Sequence, residues 1–211
     1  MSLDLWLAFV AASTALLVLP GPTLMMVLSY ALTQGRRVAA ASAFGVATGD
    51  LIAMTLSVIG LGALFLTSAL AFTVLKWIGA AYLVYLGIKM LLSARGPATP
   101  PTLAKAPPGQ SPRKVFRDLT LVTALNPKSN TFFIAFVPQF IDPTTAFAPQ
   151  AAILVATFVT IAGINALVFA LAANAMRSRI TRPSVQTWLT RAGGATLIGM
   201  GVITATLRRG T

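Results

Sequence analysis

Three groups of residues in this sequence have types and spacings that could do chemistry. The first is Asn126-Pro127-Lys128. Asparagine is a strong helix N-cap, and proline suits the first helical position, where its missing N–H costs nothing. A helix that stops and restarts here leaves backbone N–H groups without partners. It also puts the positive end of a half-helix dipole at the break. Such an end takes up anions, a carboxylate among them. The second group, Pro20-Gly21-Pro22-Thr23, has the same potential. Pro20 removes a helical hydrogen bond and biases Leu19 away from helix, Gly21 permits unusual backbone angles, and Pro22 suits the start of a new helix. A pair of ordinary proline kinks is the bland alternative. The third group is Gly49-Asp50. The Asp50 carboxylate could hold an ammonium group, take up and release a proton, or form a structural pair with Lys128. Lys128 could instead meet a carboxylate. Gln139 offers a further amide to a bound solute, although hydrogen bonding between helices is the plainer role for it and for Asn165.

Other chemistries are closed by composition. The chain has no cysteine and no histidine, which excludes disulfides, thiol and imidazole catalysis, and metal sites of the Cys/His type. Its four acids, Asp4, Asp50, Asp118 and Asp142, are too few for a carboxylate-bound metal centre. A Ser–Lys pair around Ser129 is the one nucleophilic arrangement left open. The sequence has no Gly-Lys-Ser/Thr phosphate loop, so energy must come from an ion or solute gradient. No cofactor is expected.

The elements that must position these groups are membrane spans. Only 9% of the residues are charged and 56% are apolar. Soluble domains carry roughly 25% charged residues, so this surface needs lipid rather than water. The mean hydropathy of +0.82 agrees. At about 20 apolar residues per crossing, the chain holds about six spans with short loops. The apolar runs are Leu5 to Leu32, Val38 to Leu66, Leu70 to Leu92, Val115 to Phe140, Ala148 to Met176 and Trp188 to Leu207. Asp50 is the only acid well inside a run, where a charge costs roughly 2.5–3.5 kcal/mol on insertion scales. Gly45 and Gly49 form a small-xxx-small pair, which predicts close packing that brings Asp50 to a neighbouring backbone. The organisation is a single domain over 1–211. It comprises a first half (1–92), a Pro-rich basic linker (93–113) and a second half (114–211), with a turn at Asp142-Pro143-Thr144-Thr145.

The net charge of +12 sits in alternate loops. These carry Arg36 and Arg37; then Arg95, Lys105, Arg113, Lys114 and Arg117; then Arg177, Arg179 and Arg182. That pattern signals topology and attraction to anionic lipid, not nucleic acid. The basic loops are expected in the cytoplasm and both termini outside, although Arg208 and Arg209 run against this. The halves also repeat. Gly79, Leu83 and Gly87 of the third run match Gly193, Leu197 and Gly201 of the sixth, and the same register aligns Gly49 with Gly163. The first and fourth runs are each interrupted by proline. With three spans per half, the second half enters the bilayer upside down. Inverted repeats of this kind place a binding site near the midplane, at broken helices.

The sequence resembles the LysE/RhtB family of amino-acid exporters. The likeness rests on Leu19-Pro20-Gly21-Pro22, Gly45-Val-Ala-Thr-Gly49-Asp50, Lys76-Trp-Ile-Gly79-Ala-Ala-Tyr82-Leu-Val-Tyr-Leu-Gly87, Asn126-Pro127-Lys128, Phe136-Val-Pro138-Gln139-Phe140 and the Gly-rich last run. The resemblance implies a bacterial inner-membrane protein that exports an amino acid or a relative such as homoserine, threonine, lysine, arginine, leucine or a homoserine lactone. It also implies use of the proton gradient and the possibility of a homodimer. On this reading Pro20, Gly21, Pro22, Thr23, Gly49, Asp50, Asn126, Pro127, Lys128 and Gln139 contact cargo, and Asp50 couples export to protons. The rival readings are an ion or metal transporter of related architecture, an intramembrane enzyme and a purely structural protein.

Overall fold

The computed structural model describes residues 1–18, 22–95, 109–142, 144–173 and 182–206, without the side chains of Pro22, Pro127 and Lys128 among others. The described residues are helical almost throughout. In chain order the helices are α1 (Leu3–Val18), α2 (Pro22–Thr67), α3 (Ala69–Ser93), α4 (Pro112–Ala124), α5 (Pro127–Phe136), a 3-10 turn (Val137–Phe140), α6 (Phe147–Leu171) and α7 (Pro183–Thr206). Among the described residues, three stretches are long and apolar enough to cross a membrane: Thr23–Thr67, Ala69–Ser93 and Phe147–Leu171. Large apolar side chains such as Leu56, Ile59, Leu66, Leu70 and Ile78 stand outward, which suits contact with lipid and not with water.

Local chemistry sets most helix ends. Ser68 alone joins α2 to α3, and its hydroxyl accepts a hydrogen bond from the Ala71 N–H at 3.1 Å. Helices α2, α4, α5 and α7 all open on proline. The backbone of α2 leaves the helical region once, at Gly35, where φ is 79° and ψ −178°. That positive φ favours glycine. Segment 22–34 folds back there, so that Val27 and Tyr30 share a core cluster with Val38, Ala39 and Ala43. The expected end of the first run at Gln34-Gly35 is therefore a one-residue corner.

Two boundaries differ from the sequence reading. The stretch read as linker to Arg113 gives up its last residues to α4, because Ser111 caps that helix and Pro112 occupies its first turn. The Ser111 hydroxyl accepts from the Lys114 N–H at 3.3 Å. Helix α4 is also two-faced rather than apolar all round. Val115, Leu119 and Thr123 are buried, whereas Arg113, Lys114 and Arg117 are exposed. The last helix likewise starts earlier than Trp188, at Pro183. Residues 96–108, most of the proposed linker, and Arg177 and Arg179 lie outside the described residues.

Glycines set the helix contacts. A Cβ on Gly45 would lie 2.6 Å from the Phe116 carbonyl oxygen, and one on Gly49 would lie 2.7 Å from that of Thr120. The expected small-residue contact is thus present, and α2 beyond Gly35 runs parallel to α4. Helices α3 and α7 run antiparallel with reciprocal contacts. A Cβ on Gly87 would meet the Gly194 carbonyl oxygen and Ile198, and one on Gly201 would meet the Ala80 carbonyl oxygen and Val84.

Candidate functional site

The second proline-bearing break separates two helices, and the first falls between two described helices. Helix α1 ends at Val18 and α2 begins at Pro22; α4 ends at Ala124 and α5 begins at Pro127. Pro20 and Gly21 lie outside the described residues. At the second break the chain turns tightly. The Asn126 N–H donates to the Thr123 carbonyl at 3.2 Å, and the Asn126 carbonyl accepts from the Asn130 N–H at 3.1 Å. Asn126 is therefore the last hydrogen-bonded step of one helix and the first of the next.

The carbonyls that close a helix lack intrahelical donors. A side-chain amide serves one at each break. Asn130 donates through Nδ2 to the Ala124 carbonyl at 3.2 Å, and Asn165 of α6 donates through Nδ2 to the Leu17 carbonyl at 2.9 Å.

The apolar core splits at the level of these breaks. One cluster holds Phe9 and Ala12 of α1, Ala53 and Met54 of α2, Phe132 and Phe136 of α5, and Phe158 and Ala162 of α6. Another holds Val27, Val38 and Val46 of α2, Val115 and Leu119 of α4, and Ala166 and Ala170 of α6. What lies between them along the chain is interrupted or polar. Between Ala12 and Val27 come Ser13 and the first break. Between Val46 and Ala53 come Gly49 and Asp50. Between Leu119 and Phe132 come Thr123, Asn126, Asn130 and the second break. Between Ala162 and Ala166 come Gly163 and Asn165.

Asp50 is buried, with 5% of its surface exposed. Its neighbour Gly49 abuts the last turn of α4, where an added Cβ would lie 2.5 Å from the Thr123 Cβ and 3.1 Å from the Ala124 nitrogen. Among the described residues Asp50 has no hydrogen-bond or ion-pair partner. The suggested pairing with Lys128 lies outside the described residues. Ser13 Oγ, Thr123 Oγ1 and Asn130 Oδ1 are also buried without a hydrogen-bond partner among the described residues. These three were missed in the sequence. Their signal, a polar residue within an apolar helix, is shared by many residues that bond their own backbone, as Thr14 does to Val10.

The fold brings Gly49 and Asp50 against the last turn of α4, two residues before Asn126 and the start of α5 at Pro127. Gln139 is elsewhere. It lies in the 3-10 turn, roughly 20 Å along the chain axis from Asn126 at about 1.5 Å per residue. Its Nε2 donates to the carbonyls of Lys76 at 2.9 Å and Ala135 at 3.0 Å. Asp142 is half-buried in the turn before α6. The N–H and hydroxyl of Thr144 both donate to its carboxylate and hold its pKa below the ordinary value. No group of three or more His, Cys, Asp or Glu gathers among the described residues.

Comparison with known proteins adds a family. The profile of the LysE type translocator family matches residues 14–207. The chain is 35% identical to an uncharacterized membrane protein of Vibrio cholerae serotype O1, over 99% of this chain and 100% of the other. It is 35% identical to the homoserine/homoserine lactone efflux protein of Salmonella typhi, over 99% of both chains. It is 33% identical to the leucine efflux protein of Salmonella choleraesuis, over 74% of this chain and 71% of the other. No solved structure matches the chain.

Proposed function

The chain belongs to the LysE type translocator family, a family of transporters and not of enzymes, and from that premise we propose that it is a secondary transporter exporting an amino acid or amino-acid derivative. The efflux activities of the homoserine and leucine relatives support the cargo class and the outward direction. The single observation that carries the reading is the polar layer at the two breaks. It has apolar clusters on either side and holds a buried carboxylate.

A zwitterion fits that layer. Each break sets the end of one helix beside the start of the next. The starts of α2 and α5 carry N–H groups without intrahelical partners and positive dipole ends, which suit a carboxylate. Asp50 and the terminal carbonyls of α1 and α4 suit an ammonium group. Pro20, Gly21, Pro22 and Thr23 shape the first carboxylate-facing turn. Asn126, Pro127 and Lys128 shape the second, and Gly49 lets Asp50 approach α4. Gln139 Nε2 is held by the carbonyls of Lys76 and Ala135 and fixes the end of the α5 segment, while its Oε1 is buried without a hydrogen-bond partner among the described residues.

The architecture we propose is six spans in two inverted halves. The first span is α1 with residues 22–34, and the fourth is α4 with α5. The reciprocal contacts of Gly87 and Gly201 support it, since the offset that pairs Gly79 with Gly193 also pairs Ala80 with Gly194 and Val84 with Ile198. Alternating access then rocks the halves about the layer, with the basic loops in the cytoplasm and both termini outside the bacterial inner membrane. A proton arriving at Asp50 from outside displaces the ammonium group and resets the carrier. The partners are thus cargo, protons and lipid, with a homodimer as a further possibility.

The deciding experiment uses proteoliposomes loaded with a mixture of amino acids. An imposed pH gradient should drive selected amino acids out faster than from protein-free vesicles. Equal leakage from both would overturn the transport reading.

A further inference from the structure

The Gln110 N–H donates to Gln34 Oε1 at 2.7 Å and so joins two basic segments 76 residues apart in the chain. One is the corner at Gly35, followed by Arg36 and Arg37. The other opens α4 with Arg113, Lys114 and Arg117. All five cations are exposed. Beyond them α2 and α4 run parallel and close, with the Thr120 hydroxyl 3.2 Å from the Gly45 carbonyl oxygen.

The acidic residues of the chain do not neutralise this cluster. They are Asp4, Asp50, Asp118 and Asp142. Asp4 is in the first turn of α1, Asp50 is buried in α2, and Asp142 lies past the far end of α5. Asp118 alone is at hand, and it is taken. Lys114 Nζ lies 3.3 Å from one of its carboxylate oxygens, and an Arg117 nitrogen lies 3.4 Å from the other. Arg36, Arg37 and Arg113 have no ion-pair or hydrogen-bond partner among the described residues. Residues 96–108 add Lys105 and no acid. Their countercharge must come from another molecule.

Helical rotation decides what lies beneath the arginines. Gly45 faces the backbone of Phe116. Phe44 is one step, about 100°, before Gly45, and Arg117 is one step after Phe116. On two parallel helices that face each other, these opposite rotations come out on the same side of the seam. Along that side of α2, Arg37, Phe44 and Leu51 follow one another at two-turn spacing. Along that side of α4, Arg113, Arg117 and Leu121 follow at one-turn spacing. Phe44, Leu51 and Leu121 are exposed. The core cluster with Ala43, Val46, Val115 and Leu119 lies on the other side. Both stripes therefore begin cationic and continue apolar, as a phospholipid standing in a bilayer begins anionic and continues apolar.

We propose that the outer side of the α2–α4 seam binds an anionic phospholipid, its phosphate held between Arg37 and Arg113 and an acyl chain laid along Phe44, Leu51 and Leu121. Guanidinium forks meet phosphate oxygens two at a time, which a diffuse attraction of basic loops to a charged surface does not require. A headgroup that carries its own cation adds positive charge to a cluster already in excess, so the seam discriminates against it. The bound lipid clasps the Gly35 corner onto the start of α4.

The experiment titrates the purified full chain, in neutral detergent, with dioleoyl phosphatidylglycerol or dioleoyl phosphatidylcholine. Native mass spectrometry counts retained lipid, and the melting midpoint is followed in parallel. The expected result is tighter retention of phosphatidylglycerol and a larger rise in midpoint. Arg37→Gln and Arg113→Gln should each weaken that binding roughly 5-fold, and together roughly 25-fold, the usual worth of a basic residue at an anionic lipid surface. The single substitutions carry the test if the double variant does not fold. Arg95→Gln combined with Arg191→Gln removes the same charge at the α3–α7 pair and should leave binding unchanged. Equal binding of the two lipids overturns the inference. So does an equal loss in the two double variants, which would mean diffuse charge, or displacement of the lipid by inorganic phosphate at matched concentration, which would mean a site for free anions. None of these outcomes involves cargo, so the transport reading is tested apart from them.

Discussion

The side-chain amide of Asn165 donates a 2.9 Å hydrogen bond to the carbonyl of Leu17, 148 residues away in the chain. It ties the middle of α6 to the last turn of α1. Asn165→Leu removes the donor, keeps the bulk and leaves a helix-end carbonyl unpaired. The expected loss of stability is about 1–3 kcal/mol, read as a lowered unfolding midpoint in detergent. An unchanged midpoint would show that the bond contributes nothing there.

Gly49 and Gly60 lie on the same helix and should respond in opposite ways. A Cβ on Gly49 collides with Thr123 and the Thr120 carbonyl, whereas one on Gly60 meets nothing within 4 Å. Gly49→Val should cost about 1–3 kcal/mol or more through forced separation of α2 and α4. Gly60→Ala should be neutral or stabilise by up to about 1 kcal/mol through helix propensity. Thermal melts of the two variants side by side check the pair.

Gly87 and Gly201 make equivalent contacts across the α3–α7 seam. If the halves are related by a two-fold axis in the membrane plane, Gly87→Val and Gly201→Val should destabilise by matched amounts, each about 1–3 kcal/mol. A large penalty at one and none at the other would argue against that symmetry.

Asp50→Asn keeps the shape of the buried side chain and removes its capacity to ionise. Uphill export driven by a pH gradient should fall to background, while expression, insertion and helical content stay as in the unsubstituted protein. Full gradient-driven export by this variant would remove Asp50 from the mechanism.

The turn before α6 should weaken in acid. The bonds from Thr144 favour the ionised Asp142 and depress its pKa below the ordinary 3.8. A depressed carboxylate adds stability that is fully present above the ordinary value and is lost as pH falls through the depressed one. Thr144→Val should therefore lower the melting midpoint at neutral pH. The gap should close on acidification below 3.8. Asp142 is partly open to solvent, so salt should shrink the gap too.

What the sequence disclosed follows from how local each cause is. The break at Asn126–Pro127 was legible because a missing N–H and an N-cap act within a few residues. Gly45 and Gly49 were legible because two small residues four apart leave a flat helix face. Asn165 could be read as a donor between helices, but its acceptor on α1 could not. The start of α4 was hidden because Ser111 and Pro112 lie within a proline-rich stretch whose composition resembles a linker. Ser13, Thr123 and Asn130 were illegible for a deeper reason. In helices apolar on every side, hydrophobic period carries no phase, so which way a polar residue points is decided only by packing. Gln139 shows the converse: its type fits cargo binding, yet its backbone partners lie far from the breaks.

The corner at Gly35 has a mechanical meaning. With a single residue between them, segments 22–34 and 36–67 cannot slide past one another and can only pivot. The start of α2 at Pro22 and the carboxylate at Asp50 sit on opposite arms of that pivot. Opening the angle by a few degrees would spread the two arms most at their far ends. Gly35→Ala would strain the corner itself, since a φ of 79° disfavours any residue with a Cβ, and would shift the angle between the two arms rather than either arm alone.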